Sequence, residues 1–143
     1  MRVSDLCNYF WELKMTDSEW ENVVLALRDS SADIAASAAA RLHKGASIAD
    51  LPHLLRLLDD EDSFLREAAA WPISELTGPS YMRELLLAYQ RGFEQGLDND
   101  GFSTALVDLV EMNPTESRSI LQHLASEENP ALSQNAAWLL GFL

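Results

Sequence analysis

Apolar residues recur at intervals of three and four along nearly the whole chain. Two clear series are Leu51, Leu54, Leu55, Leu58 and Leu65, Ala69, Ile73, Leu76. No stretch alternates apolar and polar residues with the period of two that a half-buried strand shows. The pattern therefore predicts an all-helical protein.

Helix-capping residues divide this pattern into short segments. Thr16 and Glu19 have the spacing of a capping box, and Asn129 before a proline is typical of an N-cap followed by a first-turn proline. Gly45 and Gly78 are typical of helix ends. These signals predict helices of about a dozen residues each.

The predicted helices repeat in sequence. Residues 62–76, DSFLREAAAWPISEL, align without gaps with residues 129–143, NPALSQNAAWLLGFL. The same frame holds for two further segments, the second of them looser and with an insertion near Gly92 and Gly96. Their core positions are Ile34, Ala38, Ala39 and Leu42 in one and Phe102, Leu106 and Val110 in the other. The aligned pairs include Leu65 with Leu132, Ala69 with Ala136, Trp71 with Trp138 and Leu76 with Leu143. One frame thus relates four helix pairs, which is typical of an alpha solenoid.

The stretch LPHLLRLLDDEDSFLREAAAWPISELTG, residues 51–78, resembles a HEAT repeat of the short kind found in phycobilin lyases. The resemblance extends over nearly the whole chain after Thr16. It implies an all-α fold, a right-handed alpha solenoid of about four HEAT-like helix pairs, and no particular activity, because such repeats serve mostly as protein-binding scaffolds. In a single domain, residues 1–143, the expected helix pairs are 17–44, 48–77, 80–113 and 115–143. A cap helix over residues 1–15, bearing Leu6, Phe10 and Leu13, is expected before them.

The chain is strongly acidic, since 23 Asp and Glu residues outnumber 10 Lys and Arg residues for a formal net charge of −13. This charge argues against binding to nucleic acid or an anionic membrane and favours a basic protein partner. The longest apolar run, residues 136–143, is far too short to span a bilayer. With one cysteine, Cys7, the chain cannot form an internal disulfide, so we expect a cytoplasmic protein.

Residues that could support catalysis or bind metal are sparse. The three histidines are far apart, so a zinc site would have to be assembled across repeats, and Cys7 is expected to be a buried, inert thiol. The string Asp98–Gly101 resembles part of a calcium loop, but Gly96 and Val107 stand where that loop needs an acid and a glutamate. We expect instead a turn whose aspartate caps the next helix. The sequence predicts no enzyme activity, catalytic residue, metal or cofactor.

Acidic residues concentrate at the turn inside each predicted helix pair. They are Asp29 and Asp33; Asp59, Asp60, Glu61 and Asp62; Glu94, Asp98 and Asp100; and Glu127 and Glu128. Stacked repeats would bring these turns together as an acidic ridge. Helix capping explains one acid per turn but not the four consecutive acids at 59–62, called the acidic turn below. The excess either binds a partner or only raises solubility.

On a helix that turns 100° per residue, Trp71 falls nearly opposite the apolar stripe of its segment, and Trp138 does the same. Ala40 and Asp108 occupy the equivalent positions in the other pairs. In solenoids of this type the second helix of each pair lines the concave surface, so these residues are expected to form a row there. The expected flanking residues are Glu67, Ser74, Glu75, Glu111 and Gln134. The indoles either form a protein-binding hot spot or pack against a neighbouring repeat.

Pro72 either bends its helix beside Trp71 or is tolerated by a packed core.

The last residues of the chain, AAWLLGFL, are apolar, whereas terminal repeats normally have a polar outer face. Leu139, Leu140 and Leu143 belong to the inward stripe. Trp138 and Phe142 lie one turn apart on the other side, and we expect them to form a contact surface. The surface would serve either the partner or a second copy in a homodimer.

The leading prediction is a non-enzymatic protein-binding module that sequesters or inhibits a basic protein, for example an immunity protein that neutralises a bacterial toxin. A general protein-assembly scaffold is the first alternative. Phycobilin-lyase-like chromophore attachment is implied by the resemblance, but no residue can be assigned to it. A DNA-repair solenoid would need a basic concave face, which the charge argues against.

Overall fold

We describe residues 14–143 of a computed structural model of the chain. The α-helices, numbered here in chain order, are α1 Asp17–Leu27, α2 Ala32–Gly45, α3 Leu51–Leu58, α4 Ser63–Thr77, α5 Met82–Glu94, α6 Asp100–Met112, α7 Pro114–Ala125 and α8 Pro130–Leu140. The 3-10 helices Ile48–Asp50 and Gly78–Tyr81 precede α3 and α5. No strand occurs within these residues, which confirms the all-helical prediction for this part of the chain. Most of the predicted cap helix, with its three apolar residues and Cys7, lies outside the described residues.

The chain divides into two compact units, Met1–Pro72 and Ile73–Leu143, with the boundary inside α4. In the first unit α1 packs against α2. In the second, α7 packs against α8, which also contacts α5 and α6. Pro72 lacks an amide donor, yet α4 continues past it to Thr77. The solenoid arrangement and the single repeat domain stay predictions.

The predicted helix starts at Thr16 and Asn129 are confirmed. Thr16 Oγ1 accepts a hydrogen bond from the Glu19 amide at 3.1 Å, and Glu19 Oε1 accepts one from the Thr16 amide at 3.3 Å. Asn129 Oδ1 accepts from the Ala131 amide at 3.0 Å. These bonds pair amides that the first helical turn leaves without intrahelical partners.

The repeat frame identifies most of the core. All the following predicted core residues are buried: Leu65, Ala69, Ile73, Ala38, Leu42, Phe102, Leu106, Val110, Leu132, Ala136 and Leu139. Two expectations are wrong, because Ile34 is exposed and Ser74, expected beside the Trp71 row, is buried. α4 is buried around most of its circumference, including Ala70 and Pro72, and keeps only a narrow accessible strip on its second face, at Glu67, Trp71 and Glu75.

A buried carboxylate organises the start of the first unit. Asp50 is fully buried, and its Oδ1 accepts hydrogen bonds from the Met15 amide at 3.0 Å and from Trp20 Nε1 at 3.1 Å. Its Oδ2 accepts from the Ser47 amide at 2.9 Å and from Ser47 Oγ at 3.2 Å. One side chain therefore joins the residue before α1, a core residue of α1 and the turn before α3.

Candidate partner-binding surface

Four aromatic residues of the second unit, Tyr89, Phe93, Trp138 and Phe142, form what we call the aromatic cluster. The indole of Trp138 stacks on the ring of Tyr89, with centroids 5.6 Å apart and planes 11° apart. Phe93 meets Tyr89 edge-on at 4.9 Å, and Phe142 meets Trp138 edge-on at 5.5 Å. These are the offset and edge-to-face arrangements that aromatic pairs prefer.

The aromatic cluster has a buried base and an exposed top. Tyr89 is 4% exposed, whereas Phe93, Trp138 and Phe142 are 42%, 38% and 44% exposed. Phe93 lies one turn after Tyr89 on α5, and Phe142 lies one turn after Trp138, just beyond the end of α8. Trp138 and Phe142 are exposed in mutual contact, and Phe93 is linked to them through Tyr89, which makes the cluster a candidate interaction surface, unlike singly exposed apolar residues.

Hydrogen bonds fix the base of the aromatic cluster in place. The hydroxyl groups of Tyr89 and Ser103 are 2.7 Å apart, and burial raises the pKa of the Tyr89 phenol. Beside this contact, Asn135 Nδ2 donates to Gln90 Oε1 at 3.0 Å and connects α8 to α5. The rings are therefore held on two packed helices before any partner binds, which lowers the ordering cost of binding.

The turn at 98–101 supports the same surface. Asn99 adopts a left-handed conformation at φ 61°, and its Nδ2 donates to the Tyr89 carbonyl at 2.7 Å. A Cβ atom on Gly92 would lie 1.9 Å from Asn99 Oδ1, so only glycine fits there. The N-cap position of α6 is Asn99, and the expected aspartate bond to the helix start is present, because Asp98 Oδ1 accepts from the amide of Asp100, the first residue of α6, at 3.2 Å. Among the described residues, no group suited to hold a metal ion was found.

Trp138 and Phe142 were predicted together, and the structure brings them together. Phe93, which completes the exposed surface, was missed because the third pair of the repeat frame is irregular at Gly92 and Gly96. Trp138 combines packing with exposure, since its indole packs on Tyr89 and keeps part of its surface open, and its role in binding a protein stays a prediction. Of the other predicted contact residues in this unit, Glu75, Asp108 and Glu111 are exposed.

Trp71 in the first unit shows the same combination. Its indole lies 5.9 Å from the His43 ring, at an interplanar angle of 43°, and the side chain is half-buried. Ala40 is exposed, and Glu67, one turn before Trp71 on α4, is half-buried. The row that would join Trp71 to Asp108 and Trp138 along one concave surface stays a prediction.

The acidic turn has a defined internal structure. Asp60 forms a two-pronged ion pair with Arg28, with Oδ2 to Nη2 at 2.6 Å and Oδ1 to Nη1 at 3.3 Å, which lowers the pKa of Asp60. Asp60 Oδ1 also accepts from the Asp62 amide, and Asp62 Oδ1 accepts from the Phe64 amide at the start of α4, both at 2.9 Å. Asp60 therefore acts in an ion pair and Asp62 in capping α4, and the side chains of Asp59 and Glu61 are exposed.

A buried arginine lies beneath the acidic turn. Arg66 is 1% exposed, and its Nη1 donates to the carbonyl oxygens of Asp60 and Glu61 at 2.9 and 2.8 Å. Main-chain carbonyls facing a buried guanidinium fix the backbone of the turn. The acidic turn is consequently a rigid loop on which Asp59 and Glu61 are displayed.

A groove between α1 and α3, about 660 Å³ in volume, was not predicted from the sequence. Its lining residues are Asp17, Trp20, Glu21, Val24, Leu25, His53, Arg56 and Leu57. The Trp20 and His53 rings stack at 4.8 Å, and Arg56 Nη2 lies 2.7 Å from His53 Nδ1. Carboxylates from α1 and a guanidinium from α3 thus border an apolar floor, which gives the groove no single charge preference.

The second unit carries ten acidic residues against three arginines. Arg83 forms an ion pair with Glu127, and Arg118 Nη2 donates to the carbonyl of Leu143 at 2.9 Å. The aromatic cluster therefore lies in a strongly acidic unit. No helix within residues 14–143 has the length and apolar character needed to cross a bilayer.

Comparison of the chain with protein-family models, with curated proteins and with solved structures finds no match. The resemblance to HEAT repeats stays a prediction from the sequence.

Proposed function

We propose that this chain is a non-enzymatic, HEAT-like protein-binding module that sequesters or inhibits a basic protein in the cytoplasm. An immunity protein that neutralises a bacterial toxin is an example of such a function. The observation that carries the proposal is the aromatic cluster, in which Phe93 and Trp138 pack on a buried tyrosine and Phe142 packs on Trp138, in a unit with ten acids and three arginines.

The two features make different contributions to binding. Aromatic side chains held in a rigid arrangement supply short-range affinity, and tryptophan and tyrosine are enriched among the residues that dominate binding energy. The surplus of negative charge attracts a basic partner over a longer range and raises the association rate. The proposed contact residues are Trp71, Trp138, Phe142, Phe93, Asp108, Glu67, Glu75, Glu111, Asp59, Asp60, Glu61 and Asp62.

Affinity purification of the tagged, full-length protein from its native cell tests the proposal. The test variant is Phe93→Ser/Phe142→Ser, which removes the two more exposed rings and keeps the Trp138 indole stacked on Tyr89. Its thermal unfolding is compared with wild type, because Phe93 also packs edge-on against Tyr89. The matched control is Leu87→Ser/Met112→Ser, which removes two exposed apolar residues of the same unit outside the aromatic cluster. We expect a partner with an isoelectric point above about 9 to co-elute with the wild type and with the control. The amount that co-elutes with the test variant should be at least tenfold lower.

The other outcomes assign other functions. A partner that is neutral or acidic contradicts sequestration of a basic protein and supports an assembly scaffold. Self-association that the test variant abolishes, measured by sedimentation, shows that the aromatic cluster joins two copies of this chain. A basic partner whose own activity is unaffected by binding contradicts the inhibitor function.

A further inference from the structure

A second, smaller cleft lies in the first unit beside Trp71. It has a volume of about 270 Å³ and is lined by Ala39, Ala40 and His43 of α2 and by Ala68 and Trp71 of α4. The three alanines contribute no polar side-chain atoms to the lining, and the centroids of the two rings are 5.9 Å apart. Its volume is that of about nine water molecules, which suits one side chain and not a helix.

The shape and chemistry of the cleft fit a long cationic side chain. An indole face attracts a cation through its quadrupole, and a planar guanidinium can stack on it. The methylene groups of an arginine can lie along the alanines while its charged end stays near water. The unit that contains the cleft has thirteen acidic residues against seven basic ones, which favours a positively charged occupant over an acidic or purely apolar one.

We propose that the cleft receives one arginine side chain of the partner, with its guanidinium stacked against Trp71. The inference rests on the proposed function, since it names the residue type by which a basic protein is recognised. It gives Trp71 a role separate from that of the aromatic cluster. Ala40, which is exposed, leaves room for the side chain to enter.

The test is an NMR titration of the full-length, ¹⁵N-labelled protein with N-acetyl-arginine amide and with its citrulline analogue. Citrulline has nearly the shape of arginine but no charge. The indole Nε1–H resonance of Trp71, assigned with Trp71→Phe, reports the cleft, and those of Trp20 and Trp138 are internal references. We expect a saturable shift confined to Trp71, with the arginine compound binding about 2- to 30-fold more tightly than the citrulline compound.

Filling the cleft supplies the matched variant. Ala40→Leu should weaken arginine binding at least tenfold without unfolding α2, because Ala40 is exposed and leucine is a good helix former. Ala32→Leu, at an exposed position two turns away on α2, should leave binding unchanged. Equal affinity for the two compounds, or binding unaffected by Ala40→Leu, overturns the cleft proposal even if a basic partner is found. Conversely, arginine binding without any basic partner leaves the cleft proposal standing and contradicts the proposed function.

Discussion

Replacing Asp50 should strongly reduce the stability of the first unit. Asp50→Ala removes the acceptor for the Met15 amide, the Trp20 indole N–H and both donors of Ser47. A buried donor left without an acceptor costs about 1–3 kcal/mol. The cost is at the upper end of this range for the Trp20 N–H, because Trp20 is a core residue. It is lower for Met15 and Ser47, which are half-buried and can form hydrogen bonds to water instead. The expected loss is about 3–5 kcal/mol of unfolding free energy.

Two further variants separate the role of the carboxylate from that of the side-chain volume. Asp50→Asn retains one oxygen acceptor, but its NH2 group faces either the Met15 and Trp20 donors or the two Ser47 donors. We therefore expect a loss of about 2–3 kcal/mol of unfolding free energy. Ser47→Ala removes only the hydroxyl bond and should cost about 1 kcal/mol. Urea unfolding followed by circular dichroism measures all three variants. If Asp50→Ala costs no more than Ser47→Ala, the carboxylate does not organise the unit.

Three further predictions concern titration and close packing. Arg28 lowers the pKa of Asp60 in the folded state, so the ion pair stabilises the protein above the unfolded pKa of about 4. This stabilisation is lost as pH falls through the folded pKa of Asp60. The stability of Asp60→Asn should therefore fall less than that of wild type over this acid range. Burial raises the pKa of Tyr89, so the stabilisation that comes from keeping its phenol neutral is complete below about pH 10 and is lost as pH rises through the folded pKa. In Tyr89→Phe the unfolding free energy should therefore depend less on pH in this alkaline range. Gly92→Ala should destabilise the second unit by about 1–3 kcal/mol, since its Cβ would meet the Asn99 side chain, and it should cost less in thermal unfolding when made in Asn99→Gly, which lacks that side chain.

Secondary structure and much of the core could be predicted from the sequence. Helical periodicity and local capping depend on residues three or four apart, which is why the starts at Thr16 and Asn129 are correct. The repeat frame located the core because aligned positions such as Leu65 and Leu132 are both buried. The frame was wrong at Ser74, where α4 is enclosed on more sides than a one-sided helix would be.

The polar interior and the full candidate surface could not be predicted, because they depend on residues far apart in the chain. Asp50 accepts from Met15 and Trp20, which are 35 and 30 residues away. Phe93 and Phe142 belong to one surface only because α5 packs on α8. The acidic turn was recognised as a charge cluster, but its pairing across to Arg28 required the structure.

The structure also sharpens the choice of residues for a charge test. Reversing all four acids of the acidic turn would break the ion pair with Arg28 and remove the side chain that caps α4. Any loss of binding could then reflect local unfolding. Reversing only Asp59 and Glu61, which are exposed, changes the charge by four units and keeps Asp60 and Asp62, the two side chains that form those contacts.

The rate at which the purified protein binds its co-purified partner, measured by surface plasmon resonance over a range of salt concentrations, tests the central claim most directly. For electrostatically steered capture of a basic protein, we predict that the association rate falls roughly tenfold or more between about 50 and 500 mM salt. Asp59→Lys/Glu61→Lys should lower the association rate, whereas Phe93→Ser/Phe142→Ser should mainly raise the dissociation rate. An association rate that changes with neither salt nor charge reversal would contradict the account.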